Sequence, residues 1–145
     1  MAEVELSFAP QPAHLRTARQ VGVALARRAG LPDSVMDAVR LAVGETCGLV
    51  VGLHRESSPD QPVSVVFDDS DGLSVDVRGA FALAEAEGPE AIALLSEAAE
   101  PLSDGLPVGA SLAIVSELVP HLEVTTSPAG VRLILGWSPE AGAHM

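Results

Sequence analysis

The chain has 145 residues, of which 48% are hydrophobic and only 3% aromatic, with no Tyr and one Trp. That length suits one domain with a single core built from Val, Leu and Ala. The formal charge is −12 and all eight basic residues are Arg, which excludes Schiff-base or P-loop lysine chemistry and fits the codon bias of a high-GC bacterium.

The first residues carry no cationic stretch leading into an apolar one, so no secretory signal is expected. Glu3 to Phe8 alternates polar and apolar residues, placing Val4, Leu6 and Phe8 on one face of a first strand. Pro10 and Pro12 end it. From Ala13 to Ala29 apolar residues recur at helical spacing (Leu15, Ala18, Gly22, Leu25, Ala29), and Gly30 is a C-terminal stop. The other face of this helix carries Arg16, Arg19, Gln20, Val23 and Arg27. No acid lies between residues 6 and 32.

Asp33 or Ser34 is the expected N-cap of a second helix running to about His54. Its buried stripe is Val35, Val39, Ala42, Val43, Leu49, Val50 and Leu53. Gly44, Gly48 and Gly52 recur every fourth residue, a pattern tolerated where another backbone or a ligand comes close. Each glycine costs up to about 1 kcal/mol relative to Ala. Cys47, the lone cysteine, excludes an internal disulfide and reads as a small buried thiol.

Residues 55–61 are an expected loop. Residues 62–67 and 73–77 alternate as strands, joined by Asp68-Asp-Ser-Asp-Gly72, a hairpin signal. Pro89 suits the first turn of an acidic helix through Ala99. A loop over 103–108, a helix over 110–119 and two strands over 121–126 and 131–137 complete the domain, the last turn being Ser127-Pro-Ala-Gly130. Hairpins combined with paired helices imply an α+β fold: a two-layer sandwich with a mixed, mostly antiparallel sheet and helices on one face. The expected domain spans 1–138, with a frayed tail over 139–145.

Residues 1–55 hold six Arg and five acids, whereas 56–145 hold two Arg and fifteen acids. The acidic body disfavours direct nucleic-acid binding. It favours a basic protein partner, or simply keeps the chain soluble. No apolar run approaches the roughly 20 residues of a membrane span, so the expected location is cytoplasmic. The four His show no metal spacing and are expected at the surface. Ser111 and Ser127 lack the His–Asp company of a hydrolase triad.

Three stretches carry a family resemblance. Residues 29–47, ending Val-Gly-Glu-Thr-Cys47, are similar to the linker and second helix of the anti-sigma factor serine kinases. Gly109-Ala-Ser-Leu-Ala-Ile-Val115 resembles the start of that family's late helix, and residues 121–133 resemble its closing hairpin. The resemblance covers about Glu3 to Trp137 and implies the histidine-kinase/gyrase-type ATPase fold.

It also implies roles. The family uses a Glu to orient the attacking hydroxyl, and an Asn four residues later to hold Mg²⁺. Glu45 fills the first position, as a vestigial base or as a structural carboxylate. Leu49 fills the second and cannot ligate a cation that demands oxygen. The family's adenine-reading Asp and its following Gly fall on Gly79 and Phe81. Its late glycine pair falls on Gly109 and Ser111. Phosphoryl transfer depends on metal electrostatics and positioning, so these departures imply a pseudokinase that needs neither ATP nor Mg²⁺, with no metal site. The expectation is an anti-sigma-factor-like binding protein in a partner-switching circuit. It would hold a sigma factor or an anti-anti-sigma protein on Arg16, Arg19, Gln20 and Arg27, and the resemblance implies a homodimer. The alternatives are an active serine kinase of the same family using ATP and Mg²⁺, and a sensor that binds a small molecule or nucleotide in the remnant pocket.

Overall fold

The structure is a computed structural model, and its described residues are 3–99 and 108–139. Six strands form one sheet: β1 (Glu3–Phe8), β2 (Val63–Asp68), β3 (Leu73–Gly79), β4 (Ala86–Glu87), β5 (His121–Ser127) and β6 (Gly130–Trp137). Their order is β1-β2-β3-β6-β5-β4. Every pairing is antiparallel, so the mixed sheet expected from the sequence becomes a wholly antiparallel one among the described strands. The helices are α1 (Leu15–Arg28), α2 (Met36–Ser57), α3 (Pro89–Ala99) and α4 (Val108–Leu118). The α+β two-layer architecture expected from the hairpins and paired helices is what the chain adopts.

The period-two pattern of the strands decides the layers. Val63, Val65 and Phe67 of β2, Leu73, Val75 and Val77 of β3, and Val131, Leu133, Leu135 and Trp137 of β6 are all buried. Helices α1 and α2 lie over β2 and β3, α4 packs on α2, and α3 packs on β5 and α4. The alternate residues face away from the helices. In register across the sheet, one such row runs Ser7, Ser64, Arg78, Arg132, Thr125, Glu87, and the next runs Glu5, Val66, Asp76, Ile134, Glu123.

Local chemistry sets the element ends. Gly30 adopts φ +82°, its N–H bonds the Arg27 carbonyl at 3.0 Å, and the Leu31 N–H bonds the Ala26 carbonyl at 3.1 Å. This crossed pair closes α1 in a Schellman arrangement that a left-handed residue makes possible. Gly72, at φ +74°, turns the β2–β3 hairpin, and a side chain there would run into the Trp137 carbonyl. Asp68 accepts the Ser70 N–H at 2.8 Å within that turn; the Ser70 hydroxyl and N–H hold its carboxyl below the usual range.

The start of α2 differs from the expectation. A single 3₁₀ turn over Asp33–Val35 precedes the helix, and neither Asp33 nor Ser34 caps it, because Val35 takes the flanking position and no side-chain cap forms. The helix also continues to Ser57, whose hydroxyl donates to the Leu53 carbonyl at 2.7 Å. The expected loop over 103–108 lies outside the described residues except for Val108, which begins α4. Of the expected tail only Pro139 lies within them.

Candidate functional site

The residues at 16, 19/20, 23/24 and 27 recur every three to four positions, so α1 presents them on one face. They line an open cavity of about 410 Å³ together with Arg40 of α2. Its lining holds four guanidiniums and no carboxylate, over a floor that includes buried Val23 and exposed Ala24. Arg16, Gln20 and Arg27 are exposed and Arg19 is half-buried. Arg40 donates to Asp37 at 2.6 Å in an exposed pair one helical turn apart, a contact of small energetic weight. Arg16, Arg19 and Arg27 form no ion pair among the described residues. The adjacent Arg28 points elsewhere, to the buried carboxylate of Asp69 at 3.3 Å.

All four residues expected to hold a partner are therefore brought together, and Arg40, which sequence alone did not single out, joins them. Two details of the expectation change. Val23 is buried and forms part of the cavity floor rather than of the outer face. Arg19 is not free: a Cβ on Gly44 would lie 2.9 Å from its Nη1 and 3.0 Å from its Cδ. The glycine ridge of α2 is thus a seat for α1 side chains, with Arg19 over Gly44 and Leu15 near Gly48. Beneath Arg19 lies Cys47, fully buried. Burial pushes its thiol up to about 12, with Arg19 acting in the opposite direction. That suits an inert structural cysteine.

The other expected positions are dispersed. Glu45 is half-buried on α2. Leu49 is half-buried one turn further on and packs against the core, as does Phe81. Gly109 is exposed in the first turn of α4, with Ser96 Oγ of α3 3.7 Å from where its Cβ would be, and Ser111 is half-buried. Among the described residues no three His, Cys, Asp or Glu side chains are placed to hold a metal ion.

Gly79 ends β3 on the helix side. A Cβ there would lie 2.7 Å from Val50 Cγ1, 3.0 Å from His54 Nε2 and 3.2 Å from Val131 Cγ2. No larger side chain enters that space without displacing all three. His54 is fully buried, against the expectation of a surface histidine. Its Nε2 accepts the Ala80 N–H at 2.8 Å, and its Nδ1 lies 2.9 Å from the Gln61 carbonyl. A carbonyl can only accept, so Nδ1 carries the proton and the ring is the neutral Nδ1–H tautomer. The helix period of α2, which puts residues 50, 53 and 54 on the core side, was the available signal for this burial.

The sheet's uncovered face holds a feature that chain order concealed. Asp76 is only 7% exposed, although no described helix covers it. Arg78 donates to its Oδ2 from Nε (3.1 Å) and Nη2 (2.8 Å). Arg132 donates from Nη2 to Oδ2 (2.6 Å) and from Nε to Oδ1 (3.3 Å). Burial opposes ionisation of Asp76 most strongly, but the Arg132 and Arg78 hydrogen bonds and charges together hold its carboxyl below the usual range. Beside this cluster opens a cavity of about 620 Å³ that Arg78 and Arg132 share with Glu85, Glu87 and Glu90. Of the nucleotide-site positions expected from the sequence, only Gly79 lines it.

No described helix is long and apolar enough to cross a membrane. Compared with known families, residues 8–137 match the family model described as a histidine kinase-like ATPase domain. Among curated proteins nothing matches.

Proposed function

The chain belongs to the histidine kinase-like ATPase domain family, and we propose that within it this protein acts by binding rather than by chemistry: an anti-sigma-factor-like regulator in a partner-switching circuit that controls transcription, without ATP-dependent kinase activity. The observation that carries this reading is the sealed end of β3. Where the resemblance calls for an aspartate that reads adenine, Gly79 has Val50, His54 and Val131 closed around it. Leu49, in the position of the metal-holding asparagine, offers no oxygen to Mg²⁺. These residues do not fit ATP–Mg²⁺. Glu45 then has no phosphoryl donor to serve.

The arginine groove on α1 and α2 supports the binding half of the reading. Four guanidiniums on an acidic protein suit an acidic surface on a sigma factor or an anti-anti-sigma protein, and Arg recognises carboxylates through a planar fork. Isothermal titration with ATP–Mg²⁺ tests the proposal, together with a kinase assay on partners co-purified from the native cell. No heat and no phosphate transfer, with a partner that binds in the absence of nucleotide, is the expected outcome. Micromolar ATP binding with phosphorylation of a partner serine would establish the active kinase instead. A nucleotide or metabolite that raises the melting temperature without any transfer would favour the sensor.

A further inference from the structure

We infer that the cavity beside Arg78 and Arg132 is a binding site for a carboxylate paired with a distant cation, the chemistry of a free dibasic amino acid or of a peptide ending in Lys or Arg. The inference does not rest on the partner-switching proposal: it is carried by Arg78, Arg132 and the three glutamates, none of which lines the α1 groove.

The anionic end of the ligand is met by a preorganised pair. Arg78 and Arg132 stand opposite each other on β3 and β6, and both are clamped by the buried carboxylate of Asp76. Each uses Nε and Nη2 on that carboxylate, and neither Nη1 has a hydrogen-bond partner among the described residues. The two side chains are still 46% and 49% exposed. A clamped guanidinium with unused N–H groups facing a cavity loses little freedom when it takes up a ligand carboxylate.

The cationic end is met by the opposite wall. Arg132, Thr125 and Glu87 lie in one row across β6, β5 and β4. Strands are about 4.8 Å apart, so roughly 10 Å separates the Arg132 and Glu87 backbones. Their side chains close part of that gap. Lysine, whose four-carbon stem separates ammonium and carboxylate by about 7 Å, spans the remainder. Glu85 and Glu90 reinforce the wall, and the Thr125 and Ser127 residues line the cavity between the two ends.

Charge selects the class. Counting Asp76, the site sets two guanidiniums against four carboxylates, so a simple anion is repelled and a plain amphoteric amino acid is left with excess negative charge around it. A ligand whose cation stands far enough from its carboxylate to reach the glutamate wall offsets part of that negative charge where it is concentrated. Bound there, it would tie the two-residue edge strand β4 to the centre of the sheet.

Isothermal titration of the full chain decides the matter, with L-lysine, L-arginine, L-alanine, lysinamide and the N-acetylated tripeptide Gly-Gly-Lys with a free C-terminus as probes. Saturable binding of lysine or arginine, at least tenfold weaker for alanine and for lysinamide, supports a free amino acid as ligand. Binding of the acetylated tripeptide without binding of free lysine supports a chain terminus. Glu87→Gln is exposed on an edge strand and should fold normally; it is expected to weaken binding at least tenfold, as is Arg132→Gln, with Glu117→Gln on α4 behaving like the wild type. No saturable binding of any basic probe overturns the assignment. So does binding that survives Glu87→Gln undiminished, whatever happens to the fold of Arg132→Gln.

Discussion

The protein carries two arginine clusters, and they are built in opposite ways. On the uncovered sheet face, Arg78 and Arg132 share one buried carboxylate and look across at three glutamates. On the helical side, Arg16, Arg19 and Arg27 have no ion-pair partner among the described residues, and their groove contains no acid. The first cluster brings its own counter-charge, two guanidiniums facing four carboxylates. The second is an unneutralised field on a chain of net charge −12, the surface on which the proposed partner would dock. Equal residue types thus acquire different functions from the company they keep, which a composition count cannot reveal.

The largest test of this contrast is charge reversal in the groove. Arg16→Glu with Arg27→Glu should weaken partner binding by about a hundredfold, roughly 2.7 kcal/mol, with an unchanged melting temperature because both side chains are exposed. Wild-type affinity in the double variant would remove the groove from the interface. Arg19 is left out of this pair because it is packed over Gly44, and its reversal would mix binding with folding.

Asp76→Asn tests the compensated cluster. It should lower stability by about 1–2 kcal/mol, because charge-assisted bonds from two guanidiniums are lost. The pH dependence follows from the depressed carboxyl of Asp76. Its stabilisation is present above the unfolded carboxyl pKa of about 3.9 and is lost as pH falls toward the lower folded value. The gap between wild type and Asp76→Asn in urea titrations should therefore be full at pH 7 and narrow below about pH 4. A constant gap would show that charge is not what Asp76 supplies.

Cys47 sharpens the comparison from underneath the groove. Its folded pKa is raised to about 12, so its neutral form stabilises the fold below the unfolded value, and that stability is lost as pH rises. Between pH 8 and 10 the wild type should lose about 1–2 kcal/mol that Cys47→Ala does not lose. Native Cys47 should also resist alkylation at pH 8; rapid labelling would contradict its burial.

The smallest effect is expected from Gly44→Ala. The added methyl meets the flexible end of Arg19, so the helix gain of up to about 1 kcal/mol offsets the displacement and stability stays nearly constant. The guanidinium moves, however, and partner affinity should drop severalfold. Lower stability with intact affinity would mean that Arg19 serves packing alone.

Much of this architecture is legible in the sequence. The alternation of Glu3 to Phe8 and the Pro89 start of the acidic helix give the bounds the structure has, and Gly30 and Gly72 fall where left-handed backbone is required. What escaped was mostly non-local. Asp76 and Arg78 share a face by simple alternation, but Arg132 joins them only through the β3–β6 register, 56 residues away. Arg40 reaches the groove only once α2 is packed on α1. The pairing of buried His54 does not show in the sequence, because a lone histidine next to a polar segment gives no sign of the Gln61 carbonyl and Ala80 N–H that meet it. The cap expected at Asp33 or Ser34 does not form, because the 3₁₀ turn satisfies the Val35 and Met36 N–H groups through the Pro32 and Asp33 carbonyls.

Trp137 closes the last strand with 2% of its surface exposed, beside the Gly72 turn, in a chain with no tyrosine. The protein therefore contains one dominant intrinsic fluorophore, set at the opposite end of the β3–β6 pair from Arg78 and Arg132. Its emission should stay blue and steady while ligands and partners come and go. It should shift to the red only when the closing strand itself is lost, which makes unfolding and association separable in one cuvette.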